Sequence, residues 1–367
     1  MPDHFSLQIG DSHYTEENIL QGKFEPTITD SFTQALLRFC QSWLKGQDSF
    51  TIHTSGSTGQ PKPISLSRQQ MQASARQTVK ALGLSAGNSA LLCINAEYIG
   101  GKMMLVRAME HGLHLTATPP SADPLAHLPT DTHFDFSALV PLQLEAILRN
   151  PHSKAILQNM KAVIIGGAAV SSSLREQLRN IKAPLFSTYG MTETVSHIAL
   201  QRLNGPEATD FFTAFPEVKL SQDSRGCLVI EGAVTGNIPV VTNDVVDLSG
   251  GNRFRWIGRA DNIINSGGIK IQLEKIDALA AAAFLQLGIE RKVFAWALPE
   301  EQLGQRLVLI AEGAPFTTAT ETEVFSHLKL VLGKYELPKA IFFVKNFCFT
   351  PSGKIQKGAT AALIDKP

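Results

Sequence analysis

The sequence is poor in cysteine and carries no excess of charge of either sign. Its four cysteines form no CxxC pair and lie far apart, at Cys40, Cys93, Cys227 and Cys348. This pattern indicates neither a disulfide framework nor a zinc site, and it is typical of a reducing compartment. Lysine and arginine together number 33, as do aspartate and glutamate. The balance favours neither nucleic acid nor an anionic membrane as a partner.

Long hydrophobic runs are also lacking. The longest nearly apolar run, residues 278–289, is shorter than the roughly 20 residues that a membrane-crossing helix needs, and it contains Gln286. The first twenty residues have no basic patch followed by an apolar core, so they predict no secretory signal. With 44% hydrophobic and 18% charged residues, the chain has the balance of a folded globular protein. We expect a soluble, cytoplasmic protein without a membrane span.

Strand and helix patterns alternate along the first 260 residues. Residues 162–165 (AVII) form a short apolar run rich in β-branched side chains, which is typical of a buried strand. Residues 67–82 place apolar side chains at helical spacing. Ser173 and Glu176 form a capping-box pattern, which predicts a helix start near Ser173.

Near residue 258 the pattern changes to strand, helix, two strands, helix and strand, with a second capping-box pattern at Thr320 and Glu323. A run of about a hundred residues with this pattern is long enough to fold as its own small unit. We therefore expect an α/β protein with a large N-terminal domain of layered β-sheets and helices, residues 1–260, and a smaller α+β C-terminal domain, residues 261–367.

A run rich in glycine, serine and threonine, TSGSTGQPK, occupies residues 54–62. Glycine lets the backbone approach a phosphate closely, while hydroxyls and a lysine donate to its oxygens. The spacing differs from that of the Walker A loop. A flexible Ser/Gly turn is the plain alternative. The candidate phosphate-binding residues are Thr54, Ser55, Gly56, Ser57, Thr58, Gly59 and Lys62.

This run resembles the phosphate loop of the adenylate-forming enzymes, the family of acyl-CoA synthetases, firefly-type luciferases and peptide-synthetase adenylation domains. Further segments resemble that family's motifs in the same order: YGMTE at 189–193, GRAD at 258–261, SGGIKI at 266–271, LxxYxxP at 332–338 and PSGKI at 351–355. The resemblance implies a reaction of a carboxylic acid with ATP and coenzyme A, assisted by Mg²⁺, and a mobile C-terminal domain.

The resemblance also implies roles for single residues in nucleotide binding and adenylation. Thr192 would contact the α-phosphate and Glu193 would hold Mg²⁺, unless Glu193 is simply a solvated acid at a helix start. Asp244 and Arg259 would bind the ribose, although Asn precedes Asp244 where the family has Gly. Lys354 would bridge the incoming carboxylate and the α-phosphate. Gly166, Gly167, Tyr189 and Gly190 are further candidates for nucleotide binding.

For the second step, the resemblance implies that the small domain rotates about Asp261. Gly267 and Gly268 would line the path of the CoA thiol, and a tight turn with positive φ is the plain alternative for both. Because CoA brings its own thiol, no cysteine of the chain is needed as an acyl carrier. We expect small-molecule partners only, and a homodimer remains open.

For the acid, residues 136–144 (FSALVPLQL) and 190–198 (GMTETVSHI) resemble segments of the o-succinylbenzoate–CoA ligases of menaquinone biosynthesis, with His197 in place of Gln. Tyr98 stands where that branch has His. The resemblance implies that the polar or basic side chains of Tyr98, Lys102, Arg107, Ser196 and His197 bind the substrate.

Several alternatives stay open. Lys102 and Arg107 could form a solvated helix face. The substrate could be another aromatic or aliphatic acid, and the chain could instead be a phosphotransferase or a non-catalytic nucleotide-binding protein. Only about fifty residues precede the phosphate loop, roughly a hundred fewer than the family usually has, so we expect an outer layer of the large domain to be missing or reduced.

Overall fold

The structure, a computed structural model, describes residues 5–24, 30–53, 63–301, 304–349 and 355–364. Two segments with predicted roles lie outside the described residues. They are the candidate phosphate loop at 54–62 and residues 350–354, which include Lys354.

The strands, numbered in chain order, are β1 (Ser6–Ile9), β2 (Ser12–Thr15), β3 (Ser49–His53), β4 (Pro63–Ser67), β5 (Ser89–Leu92), β6 (His114–Ala117), β7 (Phe136–Leu139), β8 (Ala162–Ile165), β9 (Leu185–Gly190), β10 (His197–Arg202), β11 (Phe212–Ala214), β12 (Lys219–Gln222), β13 (Cys227–Glu231), β14 (Val240–Ser249), β15 (Arg253–Arg259), β16 (Ile263–Ser266), β17 (Ile269–Gln272), β18 (Val293–Glu300), β19 (Gly304–Glu312) and β20 (Ile341–Val344). The α-helices are α1 (Glu16–Leu20), α2 (Ser31–Leu44), α3 (Arg68–Ala81), α4 (Ile99–His111), α5 (Pro141–Arg149), α6 (Pro151–Leu157), α7 (Ser172–Gln177), α8 (Leu273–Gln286), α9 (Thr318–Val331) and α10 (Lys357–Ala361).

One large mixed sheet organises the chain up to Arg259. Its strand order is β12-β13-β14-β15-β11-β10-β9-β8-β7-β5-β6-β1-β2. The run from β9 to β1 is parallel, whereas the neighbours from β12 to β9 pair antiparallel. Parallel strands need cover on both faces, and β7 and β8 are buried throughout.

Two hydrophobic clusters provide that cover, one on each face of the parallel strands. Along β5 the side chains alternate, so Ala90 and Leu92 join the cluster formed with α2, α3 and α4. Leu91, between them, joins the cluster formed with α5, α6 and α7. The helices therefore pack on both sides of the sheet, as the α/β prediction requires.

Two helices of the first cluster carry residues of the candidate site. On α3, Met71, Ala75 and Val79 are buried at helical spacing, and the Ser67 side chain caps the first turn by accepting from Gln70 N. This confirms the predicted helix at 67–82. The second helix, α4, packs against α3. It ends at Gly112, whose left-handed conformation closes the helix.

After Arg259 the chain enters a second, smaller sheet. Its order is β17-β16-β19-β18, with β20 beside β19, and α8 and α9 pack on it around a separate hydrophobic cluster. The change of sheet falls between Arg259 and Ile263, on either side of Asp261. Among the described residues, no helix is long and apolar enough to cross a membrane.

Candidate active site

The chain that links β9 to β10 brings several predicted residues to one edge of the large sheet. Tyr189 and Gly190 end β9, a 3₁₀ turn holds Thr192–Thr194, and His197 begins β10. The backbones approach so closely that a Cβ added to Gly190 would lie 2.2 Å from the carbonyl oxygen of Ser196. Only glycine fits at this position, because any side chain would separate the two strands.

Within this link, Val195 adopts a strained backbone conformation, with φ 67° and ψ −64°. The N–H of Ser196 donates to the carbonyl oxygen of Thr194 at 2.8 Å, which is the hydrogen bond of a γ-turn with positive φ. A β-branched residue in this region costs energy that the surrounding packing must supply, and the Val195 side chain is fully buried. Before the turn, Glu193 borders a cavity on one side of the link. After the turn, Ser196 contacts Arg107 on the other side.

On the first side, Asp244 from β14 faces donors from two other strands, β9 and β15. Tyr189 Oη donates to Asp244 Oδ2 at 2.7 Å, and Trp256 Nε1 donates to Oδ1 at 3.2 Å. Arg259 Nη1 lies 3.8 Å from Oδ1. Burial, and then the negative charge of Asp244, hold the pKa of Tyr189 well above its usual range, so the phenol stays a donor. The carboxylate keeps acceptor capacity on both oxygens, which suits a pair of ribose hydroxyls.

Asp244 and Arg259 border a cavity of about 230 Å³. Its lining consists of Met191, Glu193, Val240, Val241, Thr242, Asn243, Asp244 and Arg259. Glu193 is exposed, and no cation among the described residues pairs with it. A free carboxylate at the edge of such a cavity is the kind of oxygen ligand that Mg²⁺ takes. The side chains around this cavity therefore fit a nucleotide with its magnesium ion.

The asparagine that precedes Asp244 replaces the glycine of the family motif without strain. Asn243 lies within β14 and is not among the residues with positive φ. Its side chain accepts a hydrogen bond from Arg225 Nη1 at 2.9 Å. The conformational freedom of glycine is therefore not required here.

Arg259 and the predicted hinge residue are joined directly. Arg259 Nε and Nη2 donate to the two oxygens of Asp261 at 2.8 and 2.6 Å. This two-pronged contact lowers the pKa of Asp261 and raises that of Arg259. The same guanidinium that faces Asp244 thus holds the second residue after β15.

The predicted glycine pairs lie in two turns. Gly166 and Gly167 directly follow β8, and a Cβ on Gly166 would lie 2.7 Å from Thr188 Oγ1. Gly267 and Gly268 form the two-residue turn between β16 and β17, with φ of 60° and 87°. These angles are those of a hairpin turn that favours glycine. The plain interpretation of the second pair is therefore correct, and their role beside the thiol stays a prediction.

On the other side of the link, Arg107 of α4 is a buried cation. It is 1% exposed, which excludes the solvated-face interpretation. Its Nη2 donates to Ser196 Oγ at 3.4 Å and its Nη1 lies 3.9 Å from Met104 Sδ, while Nε has no hydrogen-bond partner among the described residues. Burial lowers the pKa of Arg107 to about 9. A buried cation without an anionic partner is costly, which points to a ligand.

Lys102 and Tyr98 have other surroundings. The ammonium group of Lys102 donates to the carbonyl oxygens of Ala96 and Glu97 at 3.0 and 2.7 Å, and burial lowers its pKa. Lys102 thus supports the loop before α4. Tyr98, at the start of that helix, is 42% exposed. Of the two predicted cations, Arg107 is the one that these contacts leave without a partner.

His197 is buried and joined to a residue that the sequence did not indicate. Its Nε2 lies 3.1 Å from Thr78 Oγ1 on α3, and its Nδ1 lies 3.4 Å from Ser196 Oγ. Burial, and then the charge of Arg107, place the pKa of His197 well below its ordinary value. Thr78 lies 119 positions from His197 in the chain, and no motif signals the pairing.

Comparison with known proteins assigns the family. The model of the family described as AMP-binding enzyme matches residues 13–246. A crystal structure of an acyl-CoA synthetase (AMP-forming)/AMP-acid ligase II-like protein from Dyadobacter fermentans shares 45% identity at a TM-score of 0.63, covering 93% of this chain and 96% of that one. The chain therefore belongs to the AMP-binding enzyme family, among its AMP-forming acid ligases.

Particular relatives lie within one branch of the family. The chain is 26% identical to 2-succinylbenzoate–CoA ligase of Listeria monocytogenes (strain F2365), over 90% of this chain and 72% of that protein. It is 29% identical to 2-succinylbenzoate–CoA ligase of Escherichia coli K12, over 71% of this chain and 57% of that protein, so it spans little more than half of that ligase. A structure of o-succinylbenzoate CoA synthetase from Bacillus subtilis with ATP and magnesium shares the fold, at 18% identity and a TM-score of 0.70, over 85% of this chain and 69% of that one.

Proposed function

We propose that this protein joins o-succinylbenzoate to coenzyme A through an acyl-adenylate, with AMP and pyrophosphate as the other products. The family supports the reaction class, and the 2-succinylbenzoate–CoA ligases among the relatives support the acid. The observation that carries the acid is the buried guanidinium of Arg107. A substrate with a second carboxylate would supply the anion that this cation lacks.

o-Succinylbenzoate has two carboxylates, one on the ring and one at the end of the succinyl chain. The first must be held away from the phosphate while the second reacts. A ring carboxylate beside Arg107 would have a charge-assisted partner, whereas an unpaired carboxylate would be costly to bury. A ligase for simple fatty acids needs an apolar pocket and has no use for a buried cation. This contrast supports the dicarboxylate over octanoate.

In the first step, an oxygen of the succinyl carboxylate attacks the α-phosphorus of ATP, and pyrophosphate leaves. Negative charge gathers around the phosphates, so donors and cations must be fixed there in advance. We assign Asp244, with Tyr189 behind it, to the ribose and Thr192 to the α-phosphate. Glu193 would hold Mg²⁺, which offsets phosphate charge. Residues 54–62 and Lys354 would supply the remaining donors to the phosphates.

In the second step, the thiolate of CoA attacks the acyl carbonyl carbon, and AMP leaves. We propose that residues 261–367 turn about Asp261 between the steps, relative to residues 1–260. The change of sheet on either side of Asp261 supports this division. The turn at Gly267 and Gly268 would then face the thiol, and the space beside Gly268 is open for 4 Å.

The test measures turnover with ATP and CoA for o-succinylbenzoate and for 4-oxo-4-phenylbutanoate, which has the same skeleton without the ring carboxylate. We expect AMP and pyrophosphate as products and the higher kcat/KM for the dicarboxylate. Arg107→Met is expected to raise the KM for o-succinylbenzoate by about 100-fold, because it removes one partner of a buried charge pair. It should change the KM of the monocarboxylate little.

The control is Arg76→Met, which removes an exposed arginine of the neighbouring helix α3. It should leave both KM values unchanged. A higher kcat/KM for benzoate or octanoate would contradict the acid while leaving the reaction class intact. Release of ADP would identify a phosphotransferase. ATP binding without acid-dependent turnover of any acid would identify a non-catalytic protein.

A further inference from the structure

The hydrogen bonds around His197 have a direction that can be worked out. Thr78 Oγ1 donates its single hydrogen to the carbonyl oxygen of Ser74, one turn earlier on α3, at 3.0 Å. A hydroxyl has one hydrogen and two lone pairs. Towards His197 Nε2, 3.1 Å away, the Thr78 oxygen is therefore an acceptor, and Nε2 carries the ring hydrogen.

The rest of the chain of contacts follows from this assignment. A neutral imidazole with its hydrogen on Nε2 has a lone pair on Nδ1. Ser196 Oγ, 3.4 Å from Nδ1, then donates its hydrogen to the ring and keeps its lone pairs for Arg107 Nη2, also at 3.4 Å. Arg107 thus donates to Ser196, Ser196 donates to His197, and His197 donates to Thr78.

This direction changes what the predicted substrate residues can do. Ser196 donates its hydrogen to His197, and His197 donates its ring hydrogen to Thr78. Neither is left to donate to a substrate carboxylate, so both act as supports for the guanidinium. Arg107, whose Nε has no partner among the described residues, is the group with free donors.

We infer that Thr78 is a positioning residue of the acid pocket: its hydroxyl oxygen fixes the tautomer of His197, which orients Ser196 and thereby holds Arg107 as the pocket's donor. The inference rests on the proposed role of Arg107 in acid binding. Arg107 and His197 are buried, Thr78 is fully buried, and Ser196 is half-buried. When a buried polar side chain has few hydrogen-bond partners, each partner strongly influences its orientation.

The first experiment reads the tautomer without any turnover. Two-dimensional spectra of ¹⁵N-histidine-labelled protein report which ring nitrogen is protonated, and His197→Gln identifies the His197 signals. We expect Nε2–H in the wild type. In Thr78→Val, a substitution of similar shape that removes the acceptor, the hydrogen should move to Nδ1, where Ser196 Oγ can accept it. Thr78→Ser, which keeps the hydroxyl, should retain Nε2–H.

The second experiment reads the acid pocket. Thr78→Val is expected to raise the KM for o-succinylbenzoate by about tenfold and to leave the KM for ATP within about twofold, with Thr78→Ser close to the wild type. Thr33→Val, which makes the same exchange at a buried threonine of α2, controls for the buried methyl group. Thermal unfolding of each variant shows whether it is folded.

The two experiments distinguish a failure of this inference from a failure of the proposed acid. An Nδ1–H tautomer in the wild type overturns the inference, as does an unchanged tautomer or an unchanged acid KM in a folded Thr78→Val. If the wild type fails to turn over o-succinylbenzoate, the proposed acid is wrong. The tautomer spectra still decide whether Thr78 fixes His197.

Discussion

The phenol of Tyr189 and the carboxylate of Asp244 meet at 2.7 Å although their strands are not neighbours in the sheet. Three strands, β10, β11 and β15, separate β9 from β14. The sheet must therefore curve towards itself at this edge, and the Tyr189 ring fills the curve by packing edge-on against Phe254 at 4.9 Å between centroids. This hydrogen bond and that from Trp256 Nε1 each engage one oxygen of Asp244, and each oxygen keeps a further lone pair.

Tyr189→Phe should weaken nucleotide binding while keeping the packing of the ring. The loss of a hydrogen bond to a charged group typically costs about 1.5–3 kcal/mol, so we expect the KM for ATP to rise at least tenfold. The KM for the acid should change little. Tyr14→Phe, at a buried tyrosine of β2, is the matched control. Equal rises in both KM values would contradict the assignment of Asp244 to the nucleotide.

Gly268→Leu should slow the transfer to CoA and spare adenylation, because a branched side chain would enter the proposed path of the thiol. Its backbone has φ of 87°, so part of any effect is strain. Gly288→Leu is the matched control, since Gly288 also has positive φ and open space, at the end of α8. Single-turnover assays of each step measure the difference. If both variants behave alike, strain alone explains the result, and the assignment of Gly268 to the path of the thiol fails.

Lys354→Ala should lower the adenylation rate about 10²–10³-fold, as expected for the loss of one fixed electrostatic contact to developing charge. Thioester formation from supplied acyl-adenylate should continue. Acid-dependent exchange of pyrophosphate into ATP measures the first step. Lys345→Ala, at an exposed lysine of the same domain, should exchange normally. Normal exchange in Lys354→Ala would rule out its proposed role.

His197 should make the fold less stable in mild acid. Its pKa is depressed in the folded state, so below the ordinary value of 6.5 the unfolded chain takes up a proton that the folded chain does not. The contribution of His197 to the free energy of unfolding is therefore fully present above pH 6.5. Below that pH the free energy of unfolding falls by up to about 1.4 kcal/mol per pH unit for one such group. Urea unfolding at several pH values measures the slope. His197→Gln should reduce that slope, and an unchanged slope would contradict the shift.

Prediction from sequence succeeded where local chemistry decides the structure. The buried strand at 162–165 and the helix at 67–82 are found at β8 and α3, because apolar periodicity and the Ser67 cap specify them locally. Helix starts were less accurate. The cap of α7 is Ser171 rather than Ser173, and that of α9 is Thr317 rather than Thr320. Several hydroxyl residues lie side by side in both places, and sequence alone does not choose among them.

In the candidate site, too, local motifs indicated some residues, whereas other contacts depend on the fold. Asp244, Arg259 and Glu193 border one cavity, and the family motifs had indicated each of them. The burial of Arg107 and its link through His197 to Thr78 depend on how α3 packs against α4 and β10. Such contacts between distant segments leave no local pattern. The sequence also predicted that Ser196 and His197 bind the acid, which stays a prediction. In the hydrogen-bond order that we infer, both residues support Arg107 instead of donating to the acid.

The guanidinium of Arg259 lies near Asp244 and donates two hydrogen bonds to Asp261. One side chain thus contacts both the residue that we assign to the ribose and the residue that we propose as the hinge. Any rotation about Asp261 that breaks the two-pronged contact changes the donors available beside the ribose, and a nucleotide that draws Arg259 away loosens the pivot. Such coupling is reciprocal in free energy. ATP affinity and the equilibrium between domain orientations should therefore shift together, and substitutions of Arg259 should uncouple them.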